Sequence, residues 1–206
     1  MAKLTNPQEI IRENNKNIEN QKIVENIEKS EENEKVKFIT IEENTTFENN
    51  ENLIKYEFYD IPLSRDMQKF IQDECNKYDL SVSLVYGIIQ AESSFKKGLV
   101  SSTNDHGYMQ VNRKTFNWIN KSYFNNKLNI KNEKHIIKVG TFYLNYLKTN
   151  FNKNMSDEDV FRTVIICYNR GLSGGQSYIK KHGYNNSYLN KVIKYKQEIE
   201  RGCIEI

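Results

Sequence analysis

From about residue 55 onward, apolar side chains recur at three- and four-residue intervals, a periodicity that constrains this part of the chain to pack helices. Ser64 can cap a helix whose Met67, Phe70, Ile71, Cys75 and Tyr78 share one stripe, and Ser81 can cap a second running to about Ser94. Further helices are predicted near 113–124, 132–150, 157–170 and 187–201. The helix near 132–150 carries Tyr143, Leu144 and Leu147, with Phe151 just beyond. That over 157–170 starts with Ser156 and Asp159 in a capping-box arrangement and ends at Gly171, a suitable C-terminal cap. Strand signals are weak, so the domain is expected to be mainly α.

The first 50 residues read differently. Asn, Glu and Lys dominate, and the aliphatics Ile10, Ile11, Ile18, Ile23, Val24 and Ile27 are too sparse for a self-sufficient core. Their spacing allows a loose amphipathic helix over residues 7–29, and Val36 to Ile41 has strand character. The expected organisation is a polar N-terminal arm over 1–50, disordered or partly helical, followed by one catalytic domain over 51–206.

Bulk properties exclude more than they assign. Thirty basic and 27 acidic side chains leave a net charge of +3, which does not call for a nucleic-acid partner. Cys75, Cys167 and Cys203 are odd in number and widely spaced, as expected of buried thiols rather than a disulfide framework or zinc site. His106, His135 and His182 share no ligand spacing, so neither a metal nor a cofactor is expected. No apolar run approaches the roughly 18 residues of a membrane span, and the N-terminus lacks the pattern of a secretory signal.

The candidate chemistry begins at Glu92, which lies four residues after Ile88 and seven after Val85, on the apolar face of its helix. Burial raises a carboxyl pKa, so a glutamate there can hold a proton near neutrality and act as a general acid. The plain alternative is a solvated rim glutamate paired with Lys96 or Lys97. Downstream, Gly107 allows close backbone approach, and the amides of Gln110 and Asn112 alternate with Met109 and Val111 so that both can face one cleft. Tyr168 falls on the stripe of Phe161, Val164 and Ile165, where a core tyrosine is equally natural. Asp105 reads either as a second carboxylate or as a turn former at the end of Ser101-Ser102-Thr103-Asn104. Trp118, Tyr108, Tyr123 and Phe124 are either cleft aromatics or core.

Taken together, these segments resemble the soluble lytic transglycosylases, in the lysozyme-like superfamily that includes goose-type lysozyme. Glu92-Ser93-x-Phe95 resembles the family's catalytic Glu-Ser-x-Phe, Val100-Ser101 its Val-Ser or Ala-Ser step, Gly107-Tyr108-Met109-Gln110 its Gly-Leu-Met-Gln, and Tyr168-Asn169-Arg170-Gly171 its Tyr-Asn-Ala-Gly. Gly140-x-x-Tyr143-Leu144 is similar to a further family helix, and the likeness spans about Ile61 to Tyr195. Ile136 stands where the family often has Asn, and Asn112 where it often has Met with a following Pro. Asp105-x-Gly107-x-x-Gln110-x-Asn112 is closer to the pattern of animal lysozymes and of secretion- or conjugation-associated transglycosylases.

The resemblance implies a peptidoglycan-cleaving enzyme acting between N-acetylmuramic acid and N-acetylglucosamine. Glu92 would serve as acid and then base, closing a 1,6-anhydro ring. Tyr168 and Asn169 would orient it, and Ser101, Gln110, Asn112 and Tyr108 would contact substrate. Two alternatives stand beside it: a hydrolysing muramidase, which needs a second carboxylate about 5 Å away, a place for Asp105, and a weakly active wall-binding component of a phage tail or conjugation machine. The expected partners are glycan strands and, through the arm, phage-tail or secretion-machine proteins. The expected place of action is the bacterial wall, reached with a virion, through a channel or on lysis.

Overall fold

The computed structural model describes residues 55–151 and 155–204. The expected arm, including the helix over 7–29 and the strand over 36–41, lies outside the described residues. Among those described, seven helices dominate: α1 (Arg65–Lys77), α2 (Val82–Ser93), α3 (Arg113–Tyr123), α4 (Glu133–Phe151), α5 (Asp157–Arg170), α6 (Leu172–His182) and α7 (Ser187–Arg201). Two antiparallel pairs complete them: β1 (Phe58–Tyr59) with β4 (Cys203–Ile204), and the hairpin β2 (Asp105–His106) with β3 (Val111–Asn112). The mainly α architecture is as the periodicity requires.

Three of the serine caps act as read. The hydroxyls of Ser64, Ser81 and Ser156 accept from the backbone N–H of Met67, Leu84 and Asp159, each satisfying a donor that the first turn leaves unpaired. The centre of the core is built from five helices: Ile71 and Cys75 from α1, Val85, Ile88 and Ile89 from α2, Ile137, Leu144 and Leu147 from α4, Ile165 and Ile166 from α5, and Val192 from α7. Each of these is fully buried. Two buried amides fasten the chain before α1: Gln68 donates to the carbonyls of Tyr59 and Leu63, and Gln72 to that of Glu57.

Helix α6 was not anticipated. It follows α5 after Gly171 alone, carries Gly174 and Gly175, and has weak helical propensity. Packing supplies what propensity lacks, because Gly175 is buried against the Cys167 side chain of α5, with no room for a Cβ.

The pairing that matters most for function is α2 with α7. A Cβ on Gly87 would stand 3.0 Å from the Lys196 backbone N and 3.1 Å from the Val192 carbonyl, so the two backbones approach closely there. Ser83 donates to Glu200 and Lys191 reaches the Ala91 carbonyl, which shows that the helices run antiparallel. The start of α7 is thereby laid against the end of α2.

Candidate active site

Glu92 sits in the last turn of α2. The helix stops just beyond it, with Ser94 and Phe95 both left-handed at φ 50 and 58. Neither is glycine, and such backbone strain concentrates at functional sites. Phe95 is buried and anchors the turn, so Glu92 is held at the edge of the core, half-buried, with its carboxyl in a cleft of about 320 Å³.

Tyr188, in the first turn of α7, donates a 2.6 Å hydrogen bond to Glu92 Oε1. Burial, opposed by this bond, reinforced by the charge of Asp105 and opposed again by Lys191, pushes the Glu92 carboxyl up to about 7. Burial and the neighbouring Glu92 push the Tyr188 hydroxyl well up, so it remains a donor.

The opposite wall is the β2–β3 hairpin, whose tip, residues 107–110, is pinned from three sides. Glu133, buried at the start of α4, accepts from the backbone N–H of Tyr108 at 2.9 Å and of Gly98 at 2.6 Å, tying the tip to the loop after α2. Gly140 of α4 leaves space for the Met109 side chain. Tyr168 of α5 donates to the Met109 carbonyl at 2.8 Å. Gly107 is required twice over: its φ is +66, and a Cβ there would lie 2.5 Å from Glu133 Oε2.

Asp105 lines the cleft with its oxygens already engaged. Ser101 and Thr103 donate to Oδ2, and Asn112 donates to Oδ1 at 2.7 Å. Burial acts to raise its pKa, but the hydrogen bonds from Thr103, Asn112 and Ser101, with His106 nearby, hold the carboxyl below its ordinary value. It is an ionised, fixed charge.

Of the residues expected from sequence, Glu92, Asp105, Gln110, Asn112, Tyr168 and Asn169 come together around this cleft, with Thr115, Tyr143 and Gly171. Gln110, at φ 44, spends its Nε2 on the carbonyls of Gly107 and Leu99. Two residues fall outside the lining. Ser101 stands behind Asp105 as its donor, and Tyr108 is a core residue because the chain at 107–110 is a turn rather than an alternating strand. The direct bond to Glu92 comes from Tyr188, while Tyr168 lines the cleft but donates its hydroxyl to the Met109 carbonyl. Tyr188 and Glu133 were not picked out from sequence. Tyr188 had only its place at the head of a helix, and Glu133 looked like an ordinary acidic first-turn residue. Among the described residues no group of three His, Cys, Asp or Glu side chains is placed to hold a metal ion, and no helix is long and apolar enough to cross a membrane.

A mainly helical domain with a half-buried glutamate at a helix end, in one cleft with a polar hairpin, has the architecture of the lysozyme-like class. The chain matches the Transglycosylase SLT domain over residues 69–191 and belongs to that family. Among curated proteins none matches it in sequence. Two similar solved structures are the 70 kDa soluble lytic transglycosylase of Escherichia coli (17% identity, TM-score 0.56) and an inactive mutant of the lytic transglycosylase Slt of Pseudomonas aeruginosa (15% identity, TM-score 0.52). Each match covers 68% of this chain and 25% of the other, so the chain spans about a quarter of those proteins, and the likeness is one of fold.

Proposed function

We propose that the protein is a peptidoglycan lytic transglycosylase that uses Glu92 alone as acid and base. The observation that carries this reading is the contrast between the two cleft carboxyls: Glu92 is pushed up to about 7, whereas Asp105 is held low with its oxygens taken by Ser101, Thr103 and Asn112. Of two carboxyls whose environments push them apart, the raised one is the acid.

In the proposed step Glu92 gives its proton to the oxygen linking N-acetylmuramic acid to N-acetylglucosamine, and the C1–O bond breaks. The C6 hydroxyl of the same muramic acid then attacks C1, and its proton passes to the Glu92 carboxylate. This closes the 1,6-anhydro ring and restores the acid without consuming water. Tyr188 serves both halves of the cycle, because its hydroxyl fixes the carboxyl and stabilises it when ionised.

Asp105 shares the cleft with Glu92, which favours a second reading, hydrolysis through Asp105 as nucleophile. Donors from Ser101, Thr103 and Asn112 draw charge from its oxygens and make it a poorer nucleophile, which favours the first. The test of Glu92 is Glu92→Gln, which keeps the shape and removes the acidic proton. Cleavage of purified peptidoglycan is expected to vanish while the circular dichroism spectrum and Tm show a folded protein. Retention of near-normal turnover would refute the role.

A further inference from the structure

Beyond the cleft that holds Glu92, a chain of aromatic rings leads outward. Tyr168 and Tyr143 both line the cleft, with ring centroids 5.8 Å apart. Tyr143 stacks on Tyr146 at 6.3 Å with planes 13° apart, and Tyr146 meets Trp118 edge-on at 5.1 Å. Trp118 is one of the large apolar side chains that remain exposed, at 38%.

The placement follows from helix geometry. Thr115 of α3 and Tyr143 of α4 are lining residues, and Trp118 and Tyr146 lie three positions further along the same helices. Residues three apart share a helix face and are separated by about 4.5 Å along the axis. Both walls of the cleft therefore continue by nearly one turn, and where they meet again they present an indole beside a phenol. The step is comparable to the length of one pyranose unit. Tyr146 and Tyr123 both meet Trp118 with ring planes near perpendicular, and more than a third of the indole stays open to solvent. An exposed indole one helical step beyond a polar cleft suits the apolar CH face of a sugar, which has no charge to be met and needs only a flat hydrophobic partner.

We propose that Trp118, supported by Tyr146, forms an outer sugar-stacking site that holds one further pyranose of the β-1,4-linked amino-sugar strand whose cleavage is proposed above. The inference rests on that reading for the identity of the strand. The site makes the enzyme discriminate by chain length, because a short oligosaccharide occupying the cleft does not reach Trp118, whereas a longer one does.

Trp118 is the chain's single tryptophan, so its emission reports this site alone. The test uses the full chain with Glu92→Gln to prevent turnover, and β-1,4-linked N-acetylglucosamine oligomers of two to six units as probes. Binding is followed by calorimetry and by Trp118 fluorescence. The expected result is saturable binding of short oligomers with unchanged emission, and a change of intensity or wavelength that sets in only for longer ones. Adding Trp118→Ala should weaken the longest oligomer about tenfold, the usual scale for losing a central aromatic anchor, while shifting the shortest less than twofold. Trp118→Phe should recover part of the loss.

Calorimetric binding of the six-unit oligomer with no change in Trp118 emission would overturn the outer site and leave the proposed function standing. So would emission that shifts with protein concentration in the absence of sugar, which would assign this face to a second copy of the chain. No binding of any oligomer, together with no cleavage of peptidoglycan by the unmodified protein, would sink the outer site and the proposed function together.

Discussion

Tyr188 donates its hydroxyl proton to Glu92 Oε1 at 2.6 Å, joining the first turn of α7 to the last turn of α2 across 96 residues of sequence. Tyr168 donates instead to the Met109 carbonyl. The two tyrosines are therefore expected to differ under the same substitution. Tyr188→Phe should lower kcat/KM roughly ten- to a hundredfold, the range set by losing a hydrogen bond to a charged group. Tyr168→Phe should cost less, because it loosens the hairpin without touching the acid. Steady-state rates on one soluble substrate decide the order, and a larger loss for Tyr168→Phe would contradict it.

Gly87 sets the distance over which that bond is made. A methyl group there meets the α7 backbone at 3.0 Å, so Gly87→Ala must part the helices by a few tenths of an ångström. Alanine gains about 1 kcal/mol of helix propensity, while overpacking costs about 1 to 3 kcal/mol. Stability should thus fall only modestly. Activity should fall further than stability does, since the Tyr188 bond is stretched; urea unfolding and kcat measured on the same sample test the pair.

Stability should carry the signature of Glu92. Its carboxyl ionises near the ordinary 4.5 in the unfolded chain and at about 7 in the fold, so the folded state binds the extra proton between those values. The stabilising contribution is complete below pH 4.5 and is lost as pH rises through 7. Glu92→Gln has no such dependence. Its Tm should gain on that of the unmodified protein from pH 4.5 to about 7 and stay level above, and a constant gap across this range would show that Glu92 is not perturbed.

Lys191 acts on the same group from outside. Its ammonium donates to the Ala91 carbonyl at 2.7 Å and favours the ionised Glu92. Removing that charge with Lys191→Met should raise the Glu92 pKa. Because the protonated acid is the active form, the basic limb of the pH–rate profile should move to higher pH. An unmoved or lower limb would contradict this.

Local chemistry was legible in the sequence, and contacts across the fold were not. The caps at Ser64, Ser81 and Ser156 are read from a side chain and an N–H three residues away, so they can be found without knowing the fold. Glu92 was visible as a charge on an apolar stripe. By contrast, Tyr188 gains its meaning only from the antiparallel packing of α2 and α7, and α6 only from Gly175 meeting Cys167. Tyr108, readable from sequence either as a cleft aromatic or as core, is core because the left-handed residues Gly107 and Gln110 fold 107–110 into a turn pinned on Glu133.

The measurement closest to the central claim is mass spectrometry of the products released from purified peptidoglycan, for the unmodified chain and for Asp105→Asn. The expected products carry 1,6-anhydro-muramic acid ends, one water lighter than hydrolysis products, and Asp105→Asn is expected to keep substantial activity, because it replaces a carboxylate held by Ser101, Thr103 and Asn112. Reducing muramic acid ends as the main product, with activity collapsing in Asp105→Asn, would show that Asp105 is a second catalytic carboxylate and that Glu92 does not act alone.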